Sequence, residues 1–517
     1  MRQTLRIITF FIVFICGRAF QSQAQIVGNV PSPTESIAQN SVSNMAALGD
    51  TLWIAPSLNR TVNNSANWYY PEGASEIVNK NGRVFSLALA PDTVIAGLGY
   101  NAETPDGSVQ AGLGFHISTD GGDNWDYIEN PNEAKNDTSF VYGGTTYKKL
   151  PITAQEQSPP FEIAQTGNTI FSASWALGLV RSQNFGKSWE RIILPPQQAD
   201  TLVPEQEYNF NGNGENKYDP RYDQNLLGFS VLIDDQNRVW AGTAGGLNIS
   251  DNALFAPTDS IRWKHIQFDS SENGLPANWI ITIKQHPKTD DIWLTNWSSG
   301  ISDEEQYGIA RTSDSGQTFD HYLPGERIND IGFKDGTIYA AGDNGFFKST
   351  DNGNNWNRIP QIKSANTFIK KSAQYYSLSS TTNRLWVGTS DGLASTADGG
   401  QSWQITRVNF PLDGQNRYQQ DAPSVETYAY PNPFSPRRHD IVRIKYEVQK
   451  AGNVQIRLFD FGMNMVRELG SGNFSEGTYE AVWDGRDHQG NQVANGPVFY
   501  QIDTASGTIR GKILVVD

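Results

Sequence analysis

Short runs of alternating apolar and polar residues recur through most of the chain, broken by Gly, Asn, Asp and Ser. Residues 239–247 read Val-Trp-Ala-Gly-Thr-Ala-Gly-Gly-Leu, 338–346 read Ile-Tyr-Ala-Ala-Gly-Asp-Asn-Gly-Phe, and 385–393 read Leu-Trp-Val-Gly-Thr-Ser-Asp-Gly-Leu. Alternation with period two, interrupted by turn residues, predicts β-hairpins. Beyond the first 25 residues no stretch sustains the 3.6-residue period of an amphipathic helix. The predicted fold class is all-β.

A second pattern follows these hairpins. Residues 118–125, 182–189, 312–319, 349–356 and 396–403 all fit Ser/Thr-x-Asp/Asn-x-Gly-x-x-Trp/Phe. Residues 61–68 are a decayed copy, and a further unit keeps only its strands and Trp263. The aromatic anchors fall at 68, 125, 189, 263, 319, 356 and 403. Their closest spacing suits a bare four-stranded repeat of about 40–50 residues, and the wider ones imply loop insertions. Seven units that cannot bury both faces alone predict a seven-bladed β-propeller over residues 41–410. Within each octapeptide the carboxylate or amide (Asp120, Asn184, Asp314, Asp351, Asp398) is expected to hold its own turn. The aromatic residue is expected to wedge between neighbouring blades. These side chains are read as structural.

The octapeptide resembles the Asp-box, or BNR, repeat of sialidases, sortilin-type receptors, xyloglucanases and photosystem II assembly-factor propellers. The Trp-x-Gly-Thr-x-x-Gly-Leu stretches are also similar to the propeller repeats of two-component regulators.

Residues 411–427 are polar and carry two prolines, as a linker would. Beyond them, runs at 441–448, 454–459, 477–483, 498–502 and 511–516 predict a small antiparallel β-sandwich over 428–517. The stretch Trp-Asp-Gly-Arg-Asp-His-Gln-Gly-Asn-Gln-Val at 483–493, followed by Gly-Pro-Val-Phe-Tyr at 496–500, resembles the FlgD-type immunoglobulin-like domain. The opening Tyr-Pro-Asn-Pro-Phe at 430–434 is similar to that of C-terminal sorting domains of type IX secretion substrates. This resemblance implies a bacterial, exported chain that engages secretion machinery. Asp484 and Asp487 are expected to shape a tight turn and not to bind metal.

The N-terminus changes the cellular picture. Arg2 and Arg6 precede an apolar run at 7–15, and Ser22 and Ala24 offer small residues at a cleavage position. This pattern predicts a signal peptide over 1–24, cleaved after Ala24, then a linker over 25–40. The chain is thus expected to be secreted or held at the cell surface, with no transmembrane segment in the mature form. Cys16 is the single cysteine, so the mature chain has no disulfide, thiol nucleophile or thiolate metal site.

The formal charge is −15, from 40 Lys+Arg against 55 Asp+Glu. Losing Arg2, Arg6 and Arg18 leaves 37 against 55, or −18. That balance argues against nucleic acid as a partner.

Candidate chemistry is sparse. The six histidines (116, 265, 286, 321, 439, 488) have no metal-ligand spacing. Gly-Thr-Ser-Asp-Gly at 388–392 matches a nucleophile elbow, but a strand follows it where that elbow needs a helix. The only Arg-Ile-Pro, at 358–360, follows its box on an outer strand, whereas in sialidases this motif precedes the first box. Acidic residues that could act on glycans (Glu103, Asp106, Asp303, Glu304, Glu305) lie in insertions.

Aromatic residues expected at the turns opposite the octapeptides are better placed to bind: Tyr100, Trp175 and Trp297. No cofactor is expected. Two readings follow: a non-enzymatic module binding a protein or glycan on that face, or a sialidase-like or xyloglucanase-like glycoside hydrolase. The long insertions at 129–160 and 196–224 fit either a functional loop or disorder.

Overall fold

The computed structural model describes residues 36–62, 67–71, 82–210, 214–409 and 425–517. The predicted signal peptide and most of both predicted linkers lie outside the described residues.

Among the described residues, seven antiparallel sheets stand side by side. Their innermost strands are Asn44–Leu48, Arg83–Ala90, Glu162–Thr166, Gly228–Ile233, Trp279–Gln285, Ile328–Lys334 and Tyr375–Ser380. Each inner strand neighbours the next, and the last neighbours the first, so the sheets close into a propeller. Val42 N–H donates to Thr389 O at 3.0 Å and Gly392 N–H to Asn40 O at 2.7 Å, which ties the N-terminal segment to the seventh blade.

A hydrogen-bonded seam runs around the axis. The Oγ of Ser86, Ser230 and Ser377 and the Oγ1 of Thr282 donate to carbonyls of the adjacent blade: Pro160 at 2.7 Å, Ile280 at 2.9 Å, Val42 at 3.3 Å and Asn329 at 3.0 Å, respectively. Asp330 Oδ2 serves the same seam by accepting from Leu378 N–H at 2.7 Å. In these five strands the preceding residue is a β-bulge: Phe85, Phe229, Ile281, Asn329 and Tyr376. A bulge leaves one residue outside the ladder and re-aims its side chain.

The glycine of each Trp-x-Gly-Thr run makes this seam fit, and it lies in a strand, not in a turn. A Cβ on Gly242 would stand 2.3 Å from Ser230 Oγ and 2.6 Å from Ile280 O; on Gly388, 2.3 Å from Ser377 Oγ and 2.5 Å from Val42 O. Gly242→Ala should therefore cost about 1–3 kcal/mol by overpacking. Gly470→Ala, where a Cβ meets open space, should stay within about 0.5 kcal/mol. Urea midpoints of the two variants check this.

The octapeptides form the turns between third and fourth strands. Ser118 Oγ donates to Asp120 Oδ1 at 2.8 Å and accepts from Gly122 N–H at 2.8 Å, while Asp120 Oδ1 accepts from Asn124 N–H at 2.8 Å. Residues 182–188, 312–318, 349–355 and 396–402 repeat the scheme around Asn184, Asp314, Asp351 and Asp398. Asn124 and the Ser118 hydroxyl hold the Asp120 carboxyl well below the usual range; Ser402 and Thr396 do the same for Asp398.

The aromatic ends pack against the preceding blade: Trp125 on Trp53 at 5.7 Å, Trp189 on Phe115 at 4.8 Å, and Trp403 on Phe346 at 6.0 Å. The fourth blade, which looked boxless in sequence, keeps part of the turn. Asn252 Oδ1 accepts from Ser250 Oγ at 3.1 Å and from Arg262 N–H at 2.8 Å.

The described residues of the two long insertions pack together. The hairpin Ser139–Tyr142/Thr145–Lys149 pairs with Lys217–Tyr218. Tyr142, Tyr147, Phe210 and Tyr218 join Leu226 and residues of the third and fourth blades, such as Phe171, Val231 and Trp263, in one apolar core.

The C-terminal module is a sandwich of two sheets. One comprises Thr427–Tyr430, Val442–Val448 and Gly477–Trp483; the other comprises Met465–Phe474, Gly452–Phe459, Gly496–Thr504 and Gly507–Val515. Trp483, Leu458, Ile502 and Phe434 fill its centre.

The module is not merely tethered to the propeller. Arg443 donates to Asp391 Oδ2 at 2.6 Å and Glu480 Oε2 at 3.2 Å, and Arg407 donates to the same two oxygens at 3.1 and 3.3 Å. Thr367 Oγ1 and Tyr430 OH complete Glu480, at 2.6 and 2.7 Å. Asp391 and Arg407 belong to the seventh blade and its exit, Arg443 and Glu480 to the module, and all four side chains are at most 11% exposed.

Candidate functional site

The ring encloses an axial cavity of about 430 Å³, within the range of small-ligand pockets. Its wall is made by the five bulge residues together with Phe161 and Ser43, and has two unlike halves. Phe85, Phe161, Phe229 and Ile281, from blades two to five, make an apolar arc; Asn329, Tyr376 and Ser43, from blades six, seven and one, make a polar arc. The aromatic arc is continuous: Phe85–Phe161 centroids lie 6.2 Å apart, Phe161–Phe229 6.3 Å, and Phe229–Trp279 5.3 Å. These rings are partly exposed. Two guanidinium groups lie over aromatic faces here, Arg83 over Phe85 at 4.5 Å and Arg327 over Trp297 at 3.7 Å.

The same cavity holds a charged group. Lys284 Nζ lies 2.6 Å from Asp330 Oδ1 and donates to Leu378 O at 3.1 Å. Glu162 also lines it, at the position where other blades carry the seam hydroxyl. Burial pushes the Glu162 carboxyl up to about 7; Lys284 opposes that shift and Asp330 adds to it.

The three aromatic residues predicted to bind are not brought to one place. Trp297 lines the cavity, with its indole N–H donating to Ile328 O at 2.7 Å. Trp175 packs on Phe229 at 5.2 Å and Trp279 at 6.0 Å, behind the arc. Tyr100 lies inside the strand Thr93–Thr104, opposite Ala111, and donates to Gln155 Oε1 at 3.1 Å. That hairpin continues to Thr104 and Gly107, so the turn falls well past Tyr100.

The other candidates have local roles. Ser390 sits in a two-residue hairpin turn between Leu385–Thr389 and Gly392–Thr396. Glu305 accepts from Ser299 N–H at 2.6 Å and Asn278 N–H at 3.2 Å. Asp487 accepts from Gln489 and Asn491 N–H groups at 2.8 and 2.9 Å. His265 is buried against the carbonyls of Ala199 and Gly245. Among the described residues no cluster of His, Asp and Glu has the makings of a metal site, and no helix is long and apolar enough to cross a membrane.

Fold and cavity define the class: an all-β chain made of a β-propeller and an immunoglobulin-like module. Residues 441–508 match the model of the FlgD Ig-like domain. Over 252 residues the chain is 24% identical to a protein of Neosartorya fischeri named "Probable oligoxyloglucan-reducing end-specific xyloglucanase"; the match covers 44% of this chain and 29% of that protein's length. Among solved structures, PorZ, a surface component of the type IX secretion system of Porphyromonas gingivalis, is 14% identical with a TM-score of 0.43, over 92% of this chain and 66% of that one. The GH74 enzyme of Niastella koreensis is 12% identical with a TM-score of 0.46, over 94% and 74%. YCF48 from Cyanidioschyzon merolae is 18% identical with a TM-score of 0.41, over 70% and 96%.

Proposed function

We propose that the chain is a secreted or cell-surface interaction module that binds a protein or glycan without turnover, on the propeller face opposite the Asp-box turns. In this reading residues 1–24 are an export signal, 41–410 form a seven-bladed propeller, and 428–517 serve sorting or attachment. The observation that carries it is the two-sided axial wall: partly exposed rings from successive blades facing Asn329 and Tyr376. Such a wall accepts a ligand with an apolar face and a polar edge. Glycan and peptide arrays probed with the full mature chain test it. Saturable binding that weakens at least tenfold in Phe229→Ala/Trp297→Ala is the expected outcome.

Glycoside hydrolysis is the second reading, and one observation favours it. Glu162, raised to about 7, shares the cavity with a second carboxylate, Asp330. A general acid needs a pKa near the working pH, and the N. fischeri relative is named as a xyloglucanase. Turnover of xyloglucan oligosaccharides or sialosides by the wild type, abolished in Glu162→Gln, would establish it and displace the binding reading.

A further inference from the structure

A second cavity, of about 610 Å³, lies between the seventh blade and the C-terminal module. Asp391 and Arg443 of the interdomain network line it, and within that network Arg407 and Arg443 are matched by Asp391 and Glu480. That network is thus close to neutral. Three further cations line the cleft: Lys370 from the propeller, and Arg438 and Lys512 from the module. Among the described residues none of these three side chains has a hydrogen bond or ion pair.

The acidic group beside them, Asp440, is engaged by the Ser372 hydroxyl. His439 Nδ1 accepts from Ser435 N–H at 3.0 Å. In a chain of net charge −15, three cations with no ion-pair partner among the described residues line one concave surface. Concavity between low-dielectric walls focuses such a potential.

We propose that this interdomain cleft binds an anion bearing two or more carboxylate, phosphate or sulfate groups, held by Lys370, Arg438 and Lys512. Two of the three cations come from the module and one from the propeller, so the bound anion spans the domain boundary. A charge-assisted contact to each is stronger than a neutral hydrogen bond, and each is screened by salt.

Isothermal calorimetry on the full mature chain at fixed ionic strength tests the proposal, with citrate, inorganic phosphate and dextran sulfate as separate probes. The expected result is saturable binding of at least one probe, weakened at least tenfold in Lys370→Gln/Arg438→Gln/Lys512→Gln and unchanged in Lys371→Ala, a cation outside the cleft. Citrate or phosphate binding would point to a small metabolite anion; dextran sulfate alone would point to an anionic polymer. The probe that binds should also raise the Tm of the wild type and not that of the triple variant. Lys512→Gln alone, on an edge strand, gives a well-folded check and should weaken binding about threefold or more. No saturable binding of any probe, binding unchanged in the triple variant, or equal loss in Lys371→Ala would overturn the proposal.

Discussion

Glu480→Ala is expected to lower the unfolding free energy by about 3–5 kcal/mol, because removing one partner of a buried ionic group leaves the others uncompensated. Arg407 and Arg443 would then face the single carboxylate of Asp391, and Thr367 and Tyr430 would lose their acceptor. The module should melt separately from the ring, giving two calorimetric transitions where the wild type gives one.

The effect depends on pH. Burial pushes the Glu480 carboxyl up, but Arg407 and Arg443, with the hydroxyls of Thr367 and Tyr430, pull it below its ordinary value. A folded-state pKa that is depressed adds stability above the unfolded value, about 4.3 for Glu. That stability fades as pH falls through the lower folded value. Wild type and Glu480→Ala should therefore differ most near neutrality and converge in acid. A single transition at unchanged Tm in the variant would show that the network does not hold the module.

Trp293→Ala should cost about 3–5 kcal/mol, the range for truncating a buried aromatic residue. Trp293 has no exposed surface. It stacks on Tyr322 at 5.2 Å, and its ring lies 3.1 Å from where a Cβ on Gly353, in the next blade's octapeptide, would stand. Truncation opens a cavity between two blades at the point where that turn presses inward. Trp356, partly exposed, should cost less. Guanidinium midpoints measure both. An unchanged m-value would indicate that the ring still unfolds as one unit.

The repeat was legible because its chemistry is local. A hydroxyl, a carboxylate and a glycine within five residues close their own turn, so residues such as 312–316 carry the signal whatever surrounds them. The fourth blade hid its turn because residues inserted after Asn252 move the donor from four positions away to Arg262. The axial cavity was not legible. A bulge adds one residue to an alternating run, so Phe85 and Phe229 look like ordinary members of a strand, and the polar position of Glu162 like an outward-facing one.

Tyr100 lies within its strand because the hairpin runs on to the Pro-Asp-Gly turn at 105–107, a turn signal five residues past Tyr100. The Asp391–Arg407–Arg443–Glu480 group joins residues far apart in sequence, and nothing around any one of them announces its partners. The sandwich was readable from its buried strands, but Met465–Phe474 was missed because its largely exposed residues include Gly470 and Gly472.

The claim on which the functional reading rests is that the aromatic arc of the axial cavity holds the ligand. The most direct test is calorimetric titration of the ligand found on the arrays into wild type, Phe229→Ala/Trp297→Ala and Glu162→Gln, with product analysis of each mixture. At least tenfold weaker binding is expected in the aromatic double variant, measured where it remains folded, with the ligand recovered intact from every mixture. Full affinity in the double variant, or cleavage that disappears with Glu162→Gln, would contradict it.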